Sequence, residues 1–445
     1  MKLWQKETEL NKTIEKFTIG KDSELDLLIA EYDVIGSLAH IKMLEKVGLL
    51  NKKDLTLLTN ELLKIYSEIK NNKFKIAQGI EDVHSQIEIL LTKKLGDTGK
   101  KIHTARSRND QILVDLRLFA RNELKEIVEL IHELFSTLIN QSEKNKNIII
   151  PGYTHFQAAM PSSFGLWFGA YAESLVDDLV LINAAYKINN QNPLGSAAGY
   201  GSSLPVNRQM TTDLLGFESL NYNSVYAQMS RGKVEKIIAY AISSVAATLS
   251  KMTMDACLFM NQNFGFISIP DEFTTGSSIM PHKKNPDVLE LLRAKCNKLQ
   301  SLPNEILLIT SNLPSGYHRD FQLIKEIFIP AFSEIKSCLF ITDFVMNKIV
   351  VNKNIIDDEK YNFIFSVEEI NRKVAKGKPF REAYIEVSKL IYEGKFKPNK
   401  KIKHTHEGSI GNLCNAQIKQ KMQKAITSFD FGNADDAIKK LLAPL

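Results

Sequence analysis

The chain has 445 residues, of which 44% are hydrophobic and 24% charged, with a formal net charge of +6. It can bury a sizeable core, and nothing in its composition departs from that of a globular protein. The positive charge is dispersed in short pairs such as Lys52-Lys53 and Lys283-Lys284, which argues against a nucleic-acid partner and would suit a small anionic substrate.

The opening MKLWQKETELNKTIEKF has no continuous apolar core and no small-residue cleavage site, so no secretory signal is expected. No apolar run approaches membrane-spanning length by eye, so no membrane partner is expected. Cys257, Cys296, Cys338 and Cys414 lie far apart without a C-x-x-C pair, as free thiols in a cytoplasmic protein would.

Residues 1–107 carry short polar elements, read as an N-terminal helical domain. Residues 100–150 and 233–264 contain neither glycine nor proline, and 162–192 holds only Gly165 and Gly169. Apolar residues there recur at three- and four-residue steps, as in Ile112, Leu116, Phe119, Ile127, Leu130, Leu134 and Leu138, which predicts long helices. Two further helical stretches follow, 286–312 interrupted by Pro303 and 320–350 with a kink expected at Pro330. These five segments make residues 108–352 a central elongated bundle, and 353–445 reads as a small C-terminal helical domain. Strand signals are almost absent, so the expected fold class is all-α.

Polar clusters fall where the long helices begin and end: EDVHSQIE (81–88), HTARSRNDQ (103–111), PGYTHFQAAMP (151–161), NPLGSAAGYGSS (192–203) and GSSIMPHKKNPD (276–287). In the last, Asn285-Pro286-Asp287 reads as a helix start, with Asn285 as N-cap. The positive end of that helix would favour an anion in the loop. Ser107 and Asp110 have the spacing of helix-capping residues. His84 and Glu88 have metal-like spacing, but no third ligand is evident in the sequence, so no metal site is expected. His404 and His406, on a lysine-rich stretch, read as solvated.

The loop GSSIMPHKKN resembles the signature loop of the fumarase/aspartase superfamily, whose members eliminate fumarate. TARSRNDQ, PGYTHFQ, NPLGSAAGYG and LPSGYHRDFQLIK (313–325) narrow the resemblance to the argininosuccinate lyases. The resemblance covers residues 30 to 330, with a weaker echo at THEGSIGNL (405–413). It implies a three-domain fold around a long helical bundle, and cofactor-free β-elimination of a small-molecule substrate to arginine and fumarate. It also implies a homotetramer with each active site shared between three subunits.

By the same resemblance Ser277 is the base, Lys283 and Asn285 hold the carboxylate that takes up charge, and His155, oriented by Glu290, is an acid toward the leaving nitrogen. Ser37, Arg108, Asn109, Thr154, Tyr317, Gln322 and Lys325 would contact substrate, while Asp82 and His84 could orient neighbours. The chain departs from the family pattern at Leu323-Ile324, where an acidic pair is usual, and at Arg231-Gly232, where an Arg-Asp pair is common.

Overall fold

A computed structural model describes residues 11–444; the first ten residues of the stretch read as lacking a secretory signal lie outside it. The chain begins with short helices, of which α1 (Asp22–Asp26), α2 (Ala30–Lys46), α3 (Lys52–Lys70) and α4 (Val83–Leu95) matter here. Then come the long elements: α5 (Arg108–Lys144), the strands β1 (Ile149–Thr154) and β2 (Gln157–Ser163), α6 (Phe164–Asn189) and α7 (Lys233–Met260). The bundle is completed by α8 (Asp287–Leu299), α9 (Leu302–Ile309) and α10 (Phe321–Lys348). In the C-terminal part lie α11 (Ser366–Val374), α12 (Phe380–Tyr392), α13 (Asn415–Thr427) and α14 (Phe431–Leu441). The predominantly helical reading holds.

The long helices form because their apolar residues keep helical spacing and their starts are capped. The Ser107 hydroxyl and the Asp110 carboxylate form a capping box on α5, and Ser163 caps α6 through the Leu166 amide. Helices α5, α6, α7 and α10 pack side by side around one continuous core. Pro303 sits in the first turn of α9, where its missing N–H costs nothing, and so divides α8 from α9. Helix α10 runs on through Pro330. Residues on α11 and α12 gather a small core of their own, Ile370, Ala383 and Val387. Helix α13 instead packs back on α6.

Two expectations need correction. Helix α7 is long and apolar enough to cross a membrane by length and composition. It instead supplies the middle of the bundle, burying Ile238, Ile242, Val245, Leu249 and Met252. The other correction is a true β-hairpin at residues 149–163, with Pro151 facing Pro161. Prolines in both strands, and no Asn-Gly or Asp-Gly turn, hid it from sequence reading.

The bundle's length positions everything that follows. Helix α5 has 37 residues, which at 1.5 Å each is about 55 Å. The polar clusters at its two ends are therefore separated by most of the molecule.

Candidate active site

At one end stands the loop between Thr275 and Asn285. Its neck is closed by an antiparallel bridge, Thr275 N–H to Asn285 O at 3.2 Å and Asn285 N–H to Thr275 O at 2.8 Å. The Thr275 hydroxyl bonds Asp287 in the first turn of α8. Asn285 is thus part of the neck and not the N-cap; Pro286 takes that position without a side-chain bond. The first-turn amides of α8 keep their orientation toward the loop.

Ser277 is half-buried, and its Oγ accepts from the Met280 amide at 3.2 Å. Lys283 is exposed beside it, while Lys284 is drawn off to Asp271 at 2.5 Å. Ser277, Lys283 and Asn285 are therefore brought together by one pinned loop.

The β1–β2 hairpin flanks the same end. His155 and Phe156, at its tip, both have positive φ, +53° and +58°. This is the pattern of a two-residue I′ turn, unusual for non-glycine residues and a form of strain that clusters at functional sites. The tip is exposed, with Phe156 at 88%, and Thr154 is exposed beside it. His155 and Phe156 border a cavity of about 650 Å³ walled by Trp167, Asp255 and Phe259. The last turns of α7 thus carry the hairpin's cavity on one side and α8 on the other, where Arg293 Nη1 lies 3.0 Å from Met254 Sδ. Among the described residues no hydrogen bond or ion pair joins His155 to Glu290, which is exposed.

The opposite end collects the remaining candidates. Arg108 opens α5 and pairs with Glu81 and Asp82, each at 3.1 Å, while its Nη2 donates to Ser85. Asn109 is half-buried beside it. Tyr317 is 39% exposed, its ring 6.0 Å from that of Phe321. Gln322 donates to the Thr18 and Ile19 carbonyls, and buried Lys325 pairs with Asp22 at 2.6 Å and Asp26 at 2.7 Å. Burial pushes Asp22 up to about 6 against the pull of Lys325. Ser37 is fully buried, its Oγ accepting from Arg106 Nη1 at 2.9 Å, so it lies beneath the site wall and not on its surface.

Sequence reading missed how these pieces are tied. Asp110, read as a cap, is fully buried and also accepts from the Gly195 amide at 3.0 Å and the Ala197 amide at 2.9 Å. It pins the 192–203 loop to the start of α5. Burial pushes its carboxyl up to about 6, opposed by the amides of Ser107, Ala197 and Gly195 and by Arg106. Removing the side chain as Asp110→Ala leaves those buried amides without acceptors. We expect a loss of about 2–4 kcal/mol in denaturant unfolding, and weaker substrate binding in whatever remains folded. Glu81 was missed as well: it bridges Arg108 and Arg319, a contact between segments that no spacing reveals.

The His84–Glu88 pairing does not form. His84 meets Asp33 and Asp115, while Glu88 lies 3.3 Å from His103. Nor is His404 solvated, since its Nε2 lies 2.9 Å from Glu368.

A family model described as Lyase matches residues 5–300. The chain is 61% identical over 441 residues to the argininosuccinate lyase of Parabacteroides distasonis, covering 99% of each. It is 40% identical over 383 residues to that of Thermotoga neapolitana, covering 86% of this chain and 96% of the relative. This chain belongs to the argininosuccinate lyase family. It is a lyase acting on a small molecule. Among solved structures, an EDDS lyase variant with bound fumarate superposes at a TM-score of 0.77 with 19% identity, covering 98% of this chain and 94% of that one. A class II fumarase from Schistosoma mansoni gives 0.72 at 15% identity, covering 97% and 95%. Those two show the shared fold.

Within the argininosuccinate lyase scaffold, the two departures from the family pattern turn out to be neighbours. A Cβ at Gly232 would stand 2.5 Å from Thr310 Cγ2 and 3.5 Å from Ile324 Cδ1. Ile324 is fully buried and Leu323 points outward. Arg231 pairs with Glu235 at 3.0 Å and donates to the Phe321 carbonyl. Thr310 and the positive φ of +78° thus confine position 232 to glycine, with Ile324 in ordinary contact beside it, and both positions are far from the Ser277 loop.

Proposed function

We propose that this chain cleaves argininosuccinate reversibly to arginine and fumarate, without a cofactor. The observation that carries the reading is the pinned 275–285 loop. It holds a hydroxyl, an ammonium and a side-chain amide together at the start of a helix. The family's reaction requires removal of a proton next to a carboxylate, with charge building on that carboxylate. Fixed donors and positive potential are what stabilise such charge. Ser277 takes the proton, and Lys283 and Asn285 hold the charged carboxylate. His155 gives a proton to the departing nitrogen. Glu290 orients it once subunits assemble.

The distribution of candidates supports a homotetramer with shared sites. Ser277 and His155 lie at one end of an approximately 55 Å helix and Arg108, Gln322 and Lys325 at the other, so one protomer cannot surround a small substrate with both sets. Apolar side chains are exposed along the central helices: Val180 on α6, Tyr240 on α7, Leu291 on α8, Leu308 on α9 and Phe340 and Phe344 on α10. Apolar exposure on five successive central helices suits an association surface. In this reading residues 1–107, 108–352 and 353–445 are the three assembly units, and four unpaired thiols suit a cytoplasmic setting.

Adding argininosuccinate to the purified protein should release fumarate, followed by its ultraviolet absorbance, whereas adenylosuccinate should give none. Fumarate from adenylosuccinate alone would transfer the reading to a different fumarate-releasing lyase. Silence with both would leave a scaffold that has lost turnover, as a crystallin-like relative would.

A further inference from the structure

Beneath the Arg108 end lies a buried charge cluster that the proposed chemistry does not use. His84, in the first turn of α4, places Nδ1 against Asp33 Oδ2 of α2, with Asp115 Oδ2 of α5 at 3.7 Å. All three side chains are buried. Asp33 Oδ1 and both Asp115 oxygens have no hydrogen-bond donor, and Arg106 Nε has no acceptor. Arg106 faces the same carboxylates and also holds the Ser37 hydroxyl.

Two carboxylates buried with a single guanidinium would leave charge uncompensated in a medium that tolerates it poorly. Asp82 acts on His84 and Asp110 on Arg106 as well, and a proton on His84, whose Nδ1 touches Asp33 Oδ2, offsets part of this charge. Burial by itself depresses the imidazole, but the carboxylates of Asp33, Asp115 and Asp82 more than reverse this and lift it to about 9. Burial and the neighbouring Asp33 push Asp115 well above the usual carboxylate range, against the pull of His84 and Arg106. His84 keeps its proton against Asp33, the carboxylate its Nδ1 touches, while Asp115 lies farther off at 3.7 Å.

We propose that His84 is a positioning residue carried as an imidazolium, which clamps Asp33 and Asp115 together, seats Arg106 on Ser37, and so fixes the 104–109 turn that presents Arg108 and Asn109 to the substrate. The chain of contacts is short. Arg106 lies two residues before Arg108, and Ala105 immediately before Arg106 has φ +59°, a backbone state that needs support from its surroundings. Asp115 stands on α5 two turns beyond Arg108, so the clamp joins α2 to the helix whose first residues meet the ligand. This role rests on the reading of Arg108 and Asn109 as substrate donors.

The Asp33–His84–Asp115 donors also lie within 4.8 Å of one another, close enough for a metal ion. A divalent ion would compete with Arg106 for the same oxygens, and the test separates the two cases. In protein labelled at histidine ring carbons, with the nine histidines assigned by single substitution, the His84 signal should stay in its imidazolium form through about pH 8. Metal analysis of the same sample should find less than stoichiometric divalent ion. The His84→Gln variant should show KM for argininosuccinate raised about tenfold with kcat within about threefold of the parent.

The stability contribution of this proton has a definite sign. The folded value lies above that of a free histidine, so the contribution is whole below about pH 6.5 and fades as pH rises through about 9. His84→Gln should lose that slope. A neutral His84 at pH 7, a stoichiometric metal, or a folded His84→Gln variant with unchanged KM would each overturn the proposal. The ring-carbon measurement needs no turnover, so an inactive parent protein would sink the functional reading and leave the charge of His84 decided on its own.

Discussion

Replacing Ser277 by alanine should lower kcat at least about 10³-fold, the scale of losing a proton acceptor or a principal anion stabiliser, while leaving the fold intact. The fold should not depend on this side chain, because among the described residues Ser277 Oγ hydrogen-bonds only with the Met280 and Ile279 amides of its own loop. The loop is closed independently by the Thr275–Asn285 bridge. The melting temperature should therefore barely move, and steady-state kinetics with argininosuccinate decides the matter. A variant that keeps most of its turnover removes Ser277 from the chemistry. A serine hydroxyl is a poor base by itself, so the prediction also tests its surroundings. Lys283 and the first turn of α8 must favour the alkoxide, and Lys283→Met should approach the effect of the serine change.

The second large effect is a gain. Ser277→Ala and His155→Asn proteins, each inactive alone, should recover activity when unfolded together and reassembled. If a site draws Ser277 and His155 from different subunits, mixed tetramers contain some sites in which both residues are intact. Activity should then rise about 10²-fold above the separate variants, given losses near 10³-fold or more in each. The expectation rests on the proposed sharing of sites: among the described residues no hydrogen bond or ion pair joins His155 to Glu290 within one protomer, and the Arg108 end lies a helix-length away. Confirmed mixed tetramers without recovery would show that each site belongs to one subunit.

Both experiments depend on the same division of labour. In the proposed tetramer, rigid helices carry the site fragments at their ends and assembly brings those ends together. That proposal accounts for the openness of the Ser277 loop and the His155 tip in a single protomer, although the chemistry calls for a site from which water is kept. It is also why the residues at the other end satisfy each other, Lys325 with Asp22 and Asp26, Arg108 with Glu81 and Asp82. These pairs hold charged side chains at fixed positions.

The sequence by itself determined the helices, because apolar spacing and capping residues act within a few positions of one another. Ser107 and Asp110 start α5, Ser163 starts α6, and Pro303 separates α8 from α9 without any help from distant residues. It also determined the order of the motifs, and thereby the family. It did not reveal the hairpin, whose turn residues His155 and Phe156 adopt left-handed backbone only because the surrounding strands compel it. Nor could it reveal that Ser37 is buried, that Asp110 anchors the 192–203 loop, or that Gly232 and Ile324 are neighbours. Those facts were decided by tertiary structure alone. Local preferences are set by neighbouring residues, whereas burial and charge pairing depend on which distant segments the packed core brings into contact.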